Sequence, residues 1–390
     1  MNYDDFINRT VSDIPPSGIR KFFDLVANMD GALSLGVGEP DFVTPWLYRD
    51  SAVKSIISGR TGYTANRGDA RLVREITLYN RDRFGLNYDE DETIVTVGAS
   101  EGIDLALRTL VSRGDGVLVP DPSYVSYMPN VAIVGGTVKP IRLDKSDGFK
   151  LTPEKLESAI DKTCKILLLP YPNNPTGAIL EKAELQALVP VIKKHNLFVI
   201  SDEIYAELTY GRRHVSIASL DGMKERTVVL NGFSKAFAMT GWRIGYFCAP
   251  KAVAAAALKI HQYTIMCAPT ASQQAALAAL EDGRETEYEQ VEYMRAEYDR
   301  RRSFTVAMLN DMGLDCFTPY GAFYAFPDVS RYAASGDEFA EKLLRAQKVA
   351  VVPGSAFGGG GKNNVRCTYA SSIKTLNKAF DRMREYIKTL

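Results

Sequence analysis

The chain carries no net charge: 47 lysines and arginines stand against 47 aspartates and glutamates in 390 residues. No overall field therefore draws it to nucleic acid or to an anionic membrane, although local patches remain open. It has no apolar run near the ~18 residues that cross a bilayer. Its opening residues, Met1 to Phe6, lack the basic start and apolar centre of a secretory signal. The expectation is a cytoplasmic protein whose partner is a small molecule. Histidine is scarce, and His195, His214 and His261 are too scattered for metal-ligand spacing, so they read as surface or packing residues and no metal is expected. The five cysteines, Cys164, Cys248, Cys267, Cys316 and Cys367, are odd in number and widely spaced, the usage of a reducing compartment.

Two nucleotide signatures are missing as well. No Gly-x-Gly-x-x-Gly follows the first strand candidate of the alternating region, which removes the main argument for a nicotinamide enzyme. The run from Gly358 to Lys362 fails as a phosphate loop, because Ala356 stands where the first glycine is needed and Asn363 replaces the serine or threonine. Repeats, low-complexity tracts and Pro/Ser-rich linkers are absent, so domains in this chain should pack closely.

With 46% hydrophobic residues the chain can bury a sizeable core, and its length suits roughly two domains of about 100 to 200 residues. Strand candidates at 93–97, 117–120, 137–141, 165–169, 198–201, 227–230 and 244–248 alternate with amphipathic stretches such as 101–111, the βαβ pattern. Their continuous apolar character suits strands buried on both faces. After about residue 284 the pattern changes. The stretch 285–309 is charged and helical in period, which predicts a connecting helix. Shorter strand-like pieces at 321–326, 349–352 and 365–369 follow, and a helix over 373–390 ends the chain. The expected fold is α/β: a large domain over 45–284, with a mostly parallel sheet sandwiched by helices, plus a smaller α+β domain from 1–44 and 285–390.

In an open parallel sheet, ligands sit beyond the carboxyl ends of the strands, so the polar residues there carry the functional argument. Lys235 follows one apolar run, and Arg243 lies eight residues on. A lysine can condense with an aldehyde once its pKa falls, and an arginine can clamp a phosphate. Gly98, Ala99 and Ser100 open a helix whose free amides suit an anion, while Ser100 and Glu101 serve equally as a simple cap. Tyr124 follows the second run, where it can lie flat on a ring or pack on the surface. Asn174 stands in a proline-rich loop after the fourth. Asp202, with Tyr205 just beyond, ends a buried run and needs a cationic partner or several donors, unless it caps a helix. Pyridoxal 5′-phosphate requires such a set: an amine for its aldehyde, an anion for its ring nitrogen, donors for its phenolic oxygen and a cradle for its phosphate. Lys235, Asp202, Asn174 with Tyr205, and the Gly98 turn with Ser234 and Arg243 match these needs in order.

In the order of these residues the chain resembles the class I/II aminotransferases of the aspartate aminotransferase superfamily, the fold type I pyridoxal-phosphate enzymes. The resemblance spans nearly the whole chain. It includes the segment from Leu35 to Phe42, the Gly62-Tyr63-Thr64 turn with Gly68, the asparagine loop, Ser234-Lys235, and the stretch from Pro353 to Phe357 leading to Arg366. It implies that Lys235 holds the cofactor and moves the proton, Asp202 sustains the ring as an electron sink, Tyr124 stacks on it, and Arg366 grips the substrate carboxylate with Gly38 and Asn174. It implies a homodimer, because Tyr63 matches a tyrosine that reaches the phosphate of the neighbouring subunit. The activity implied is amino transfer from an L-amino acid to a 2-oxo acid by a two-stage, ping-pong exchange. A carbon–sulfur β-lyase and a non-catalytic, ligand-binding relative are the alternatives. The latter would need a DNA-binding segment, and the residues ahead of Leu33 are too few and not basic. Gly232 replaces a second hydroxyl residue found three before the lysine in some relatives. Glu101 stands where some aspartate-using relatives carry a lysine, a weak vote against aspartate if it faces the pocket. The segment 17–20 is expected to help shape the substrate pocket.

Overall fold

The computed structural model describes residues 1–16, 18 and 29–390. A short strand, β1 (Leu33–Ser34), precedes the helices Trp46–Ile57 and Ala70–Phe84. The central sheet then takes β2 (Thr93–Thr96), β3 (Gly116–Asp121), β4 (Thr137–Arg142), β5 (Cys164–Leu169), β6 (Phe198–Asp202), β7 (Thr227–Gly232) and β8 (Gly245–Cys248) in the order β2-β8-β7-β6-β5-β3-β4. All seven strands expected from the apolar runs are present, with ends shifted by a residue or so. Only β8 runs against its neighbours, antiparallel to both β2 and β7.

The side chains alternate between two buried faces, as strand geometry requires. Val117, Val119, Ile166, Leu168, Val228, Leu230 and Phe247 join one apolar cluster. Leu118, Leu167, Leu169 and Val199 join another on the opposite face. Pro140 sits in β4, where the edge position leaves its missing N–H without cost to an inner ladder.

Beyond the sheet the helix Thr270–Glu285 breaks at Glu287 and Tyr288, both at positive φ (54° and 62°), before the helix Glu289–Asp311 begins. The expected connecting helix therefore starts later than its charge pattern predicts. The strand expected over 349–352 divides into β10 (Val349–Ala350) and β11 (Val352–Pro353), which serve different partners. β10 pairs in parallel with β1, Leu33 opposite Val349 and Ser34 opposite Ala350. β11 pairs with β12 (Val365–Thr368), which in turn pairs with β9 (Tyr324–Ala325) in a three-stranded antiparallel sheet. The helix Ile373–Ile387 packs over this region through Leu376, Ala379, Phe380 and Met383.

Candidate active site

Because β8 is reversed, its first residues lie at the same sheet edge as the last residues of its parallel neighbours. The loop from β7 to β8 therefore brings Lys235 and Arg243 back to the edge where Asp202 ends β6 and Gly98 follows β2. Close backbone approach makes this possible. A Cβ at Gly245 would lie 2.8 Å from the Ala99 nitrogen, and one at Gly232 would lie 2.7 Å from the Gly245 Cα. Gly232 is thus fixed by the contact between β7 and β8, and no hydroxyl side chain fits there.

The residues meet at a cavity of about 1240 Å³, lined by Gly38, Ala99, Ser100, Tyr124, Asn174, Asp202, Tyr205, Ser234, Lys235, Arg243 and Arg366. Gly98 lies against it: at φ 72° it takes a conformation that favours glycine, and a Cβ there would stand 2.8 Å from an Arg243 guanidinium nitrogen. Ile14, Pro15, Pro16 and Gly18 cover one side. Gly18 is the only member of segment 17–20 among the described residues, so the expectation for Ser17, Ile19 and Arg20 lies outside them.

Lys235 donates from Nζ to the Gly38 carbonyl at 2.6 Å. Burial pulls its amine down to about 8, with nearby Glu39 opposing the shift and Arg366 and Arg243 adding to it. Asp202 is buried, and burial raises its carboxyl to about 6 against the bonds that favour the carboxylate. Those bonds are donated by the Tyr127 hydroxyl at 2.7 Å and the Ile204 amide at 3.2 Å. Among the described residues, no lysine, arginine or histidine lies within ion-pair distance of it. Tyr205 shares a 2.8 Å hydroxyl contact with Tyr324. Tyr124 lines the cavity and meets the Tyr127 ring edge-on at 5.6 Å.

Arg366 is 3% exposed and is set between the rings of Tyr324 and Phe357, 4.4 and 4.8 Å from their centroids. It donates from Nη1 to Asn174 Oδ1 at 2.8 Å and from Nη2 to the Gly36 carbonyl at 2.6 Å. Among the described residues its buried Nε has no partner. A guanidinium held this way, with donors unspent beside a cavity, suits a carboxylate. Gly36, Tyr127 and Tyr324 were not singled out from the sequence. Tyr127 had one signal, its place three residues after Tyr124 at helical spacing; the other two become visible only through contacts across the fold.

Other expectations resolve differently. Glu101 does not line the cavity: its carboxylate takes the Val97 amide and His261 Nδ1, each at 2.5 Å. The argument it offered against aspartate therefore loses its basis. His261 is fully buried, His214 pairs with Glu203 at 2.8 Å and His195 with Glu157 at 2.9 Å. No group of His, Cys, Asp and Glu suited to a metal occurs among the described residues, and all five cysteines are free thiols. Tyr63 is 83% exposed and lies outside the cavity. Gly360 donates its amide to Asp121 at 2.9 Å, so the glycine run packs on the end of β3.

A family model, aminotransferase class I and II, matches residues 30–383. The chain belongs to this family. As an aminotransferase it is 49% identical over 383 residues to YugH of Bacillus subtilis, whose aminotransferase name is provisional, with 98% of each chain covered. It is 40% identical to aromatic-amino-acid aminotransferase 2 of Thermococcus litoralis over 96% of each. The solved aspartate aminotransferase of Thermus thermophilus with maleate superposes with a TM-score of 0.93 at 36% identity, covering 97% of this chain and 99% of that one.

The lowered amine of Lys235 has a direct readout. Only a neutral amine is acylated, so in the cofactor-free aminotransferase the labelling rate at Lys235 should climb with pH to a plateau with its midpoint near 8. Peptide mapping after competitive acetylation measures this, and a midpoint near the ordinary lysine value of about 10.4 would contradict the burial argument.

Proposed function

We propose that this aminotransferase binds pyridoxal 5′-phosphate beside Lys235 and exchanges the amino group of an L-amino acid with a 2-oxo acid in two stages. The observation that carries the reading is the single cavity in which a lysine of lowered pKa faces a buried arginine with an unspent donor. The residues fit the cofactor. Asp202 is a buried carboxylate beside the cavity with no cation close to it among the described residues, and Gly98 leaves open the space that a side chain would take from Arg243. The chemistry the group supplies when bound is an aldehyde that takes up an amine and a ring that withdraws electrons from the substrate α-carbon.

The chain's own residues divide the remaining work. Lys235 Nζ would hold the aldehyde end of the cofactor and, as a free amine, would carry the proton to and from the substrate α-carbon. Asp202 would keep the ring nitrogen protonated, and that positive charge would give its buried carboxylate a cationic partner. Asn174 commits its oxygen to Arg366, leaving its NH₂ group to join the Tyr205 hydroxyl at the phenolic oxygen. The amides of 98–100, Ser234 and Arg243 would hold the phosphate, and Tyr124, which lines the same cavity, would pack on the ring. Arg366 grips the α-carboxylate, helped by Gly38 and Asn174. The relatives' names include aromatic-amino-acid, aspartate and, with a probable assignment, N-acetyl-LL-diaminopimelate aminotransferases, so the donor stays open among aspartate, aromatic, alanine-type and acylated diamino acids.

The reading extends to a homodimer with Tyr63 reaching the partner's phosphate site. Apolar exposure supports it: Trp46, Ile56 and Ile57 on the helix Trp46–Ile57, with Val43, Tyr63 and Tyr263, are between 55% and 86% exposed. It also divides the chain into a large domain at 45–284 and a small one at 1–44 and 285–390, supported by the separate sheets. The compartment is proposed as cytoplasmic; no described helix is long and apolar enough to cross a membrane.

Borohydride treatment of the cofactor-loaded protein should leave one reduced adduct, on the Lys235 peptide; an adduct elsewhere, or none, rejects the assignment. Products of turnover should be a 2-oxo acid and a transferred amine, whereas ammonia with pyruvate would mean a lyase. Arg366→Ala should weaken amino-acid donors by about 2 to 5 kcal/mol, read as a raised KM with the cofactor's visible absorbance retained. Sedimentation should show a dimer, and full activity in a monomer would remove Tyr63 from the site.

A further inference from the structure

The proposed chemistry leaves a half-buried acid, Glu101, and a fully buried histidine, His261, without a task. Glu101 stands in the first turn of the helix Gly98–Leu110, the helix whose opening amides face the cavity. The first four N–H groups of a helix have no partner within it. Val97 occupies the cap position and supplies no side-chain oxygen. Glu101 fills the gap, with Oε2 taking the Val97 amide at 2.5 Å while Oε1 takes His261 Nδ1 at 2.5 Å.

His261 belongs to the last turn of the helix Lys251–Thr264, and its carbonyl receives the amides of Ile265 and Met266 at 2.9 Å each. The imidazole is therefore carried by a closed helix end. It is fully buried, and its Nε2 has no partner among the described residues. Burying a polar nitrogen unpaired is unfavourable, so the position gains its value from the bond to Glu101. Without that bond, a carboxylate at a helix N-terminus would be drawn toward the free amides, where it would compete with an anionic ligand.

We propose that His261 and Glu101 are positioning residues for the phosphate site at 98–100: the pair fixes the first turn through the Val97 amide and keeps the Glu101 carboxylate turned away from the cavity. This rests on the reading that pyridoxal phosphate binds beside Lys235. Its consequence is selective, because the pair acts on the phosphate end of the ligand alone.

The test compares pyridoxal phosphate with pyridoxal, which lacks the phosphate, by absorbance titration of cofactor-free protein. His261→Phe and Glu101→Ala should weaken pyridoxal phosphate by roughly tenfold or more, the scale of one lost charged hydrogen bond, with pyridoxal affinity unchanged. Glu101→Gln, which keeps the cap on Val97, should stay near the wild type. Parallel losses for both ligands would show a merely structural role and overturn the inference, as would unchanged pyridoxal phosphate binding. Should His261→Phe fail to fold, the contrast between Glu101→Ala and Glu101→Gln decides. A wild type that binds neither ligand would overturn the proposed function itself; normal wild-type binding with indifferent variants would overturn only this inference.

Discussion

Between β2 and β7 the sheet admits one strand running the other way, and much of the cavity depends on that reversal. A parallel strand would send the chain to the far edge after Lys235 and bring it back through a long crossover. The reversed β8 instead returns it directly, so Arg243 meets Gly98 at the edge where Lys235 and Asp202 already stand. The constraint is steric: β7, β8 and the helix Gly98–Leu110 approach so closely at Gly232 and Gly245 that added Cβ atoms would sit 2.7 to 2.8 Å from backbone. Gly232, which departs from the pattern of some relatives, is what this contact requires.

Electrostatics then distinguishes the cavity from an ordinary cleft. Arg366, Arg243 and Lys235 share it with a buried carboxylate, Asp202, and an exposed one, Glu39. Burial and two neighbouring guanidinium groups press the Lys235 amine toward its neutral form, while Glu39 works the other way. The surplus of cations suits a ligand bearing anions at two ends. Carbonyl groups of the segment 36–38 accept from two of these cations: Gly36 from Arg366 and Gly38 from Lys235. Both bonds are to backbone oxygens, which an anion can replace without leaving a side chain unpaired.

The strands were legible because apolar runs bounded by polar residues follow local physics, and so were the polar residues that close them: Lys235, Asp202, Asn174 and the Gly98 turn. The strand over 349–352 was legible only as one piece. Its division at Val351 reflects two separate partners, β1 and β12, that no local pattern announces. The late start of the helix Glu289–Asp311 has the same origin. Two residues at positive φ, Glu287 and Tyr288, interrupt a charge pattern that looks continuous.

By itself the sequence determined the family, the chemical kinds of group available, and their placement at strand ends, since these depend on residue identity and short-range periodicity. Direction and partnership belonged to the tertiary structure. Arg366 reaches Asn174 across 192 residues and stacks on Tyr324, and neither contact leaves a trace in spacing. Glu101 directly follows the turn at Gly98–Ser100 yet points to His261, 160 residues away. A helix position sets where a side chain starts; the neighbour that satisfies its charge sets where it ends.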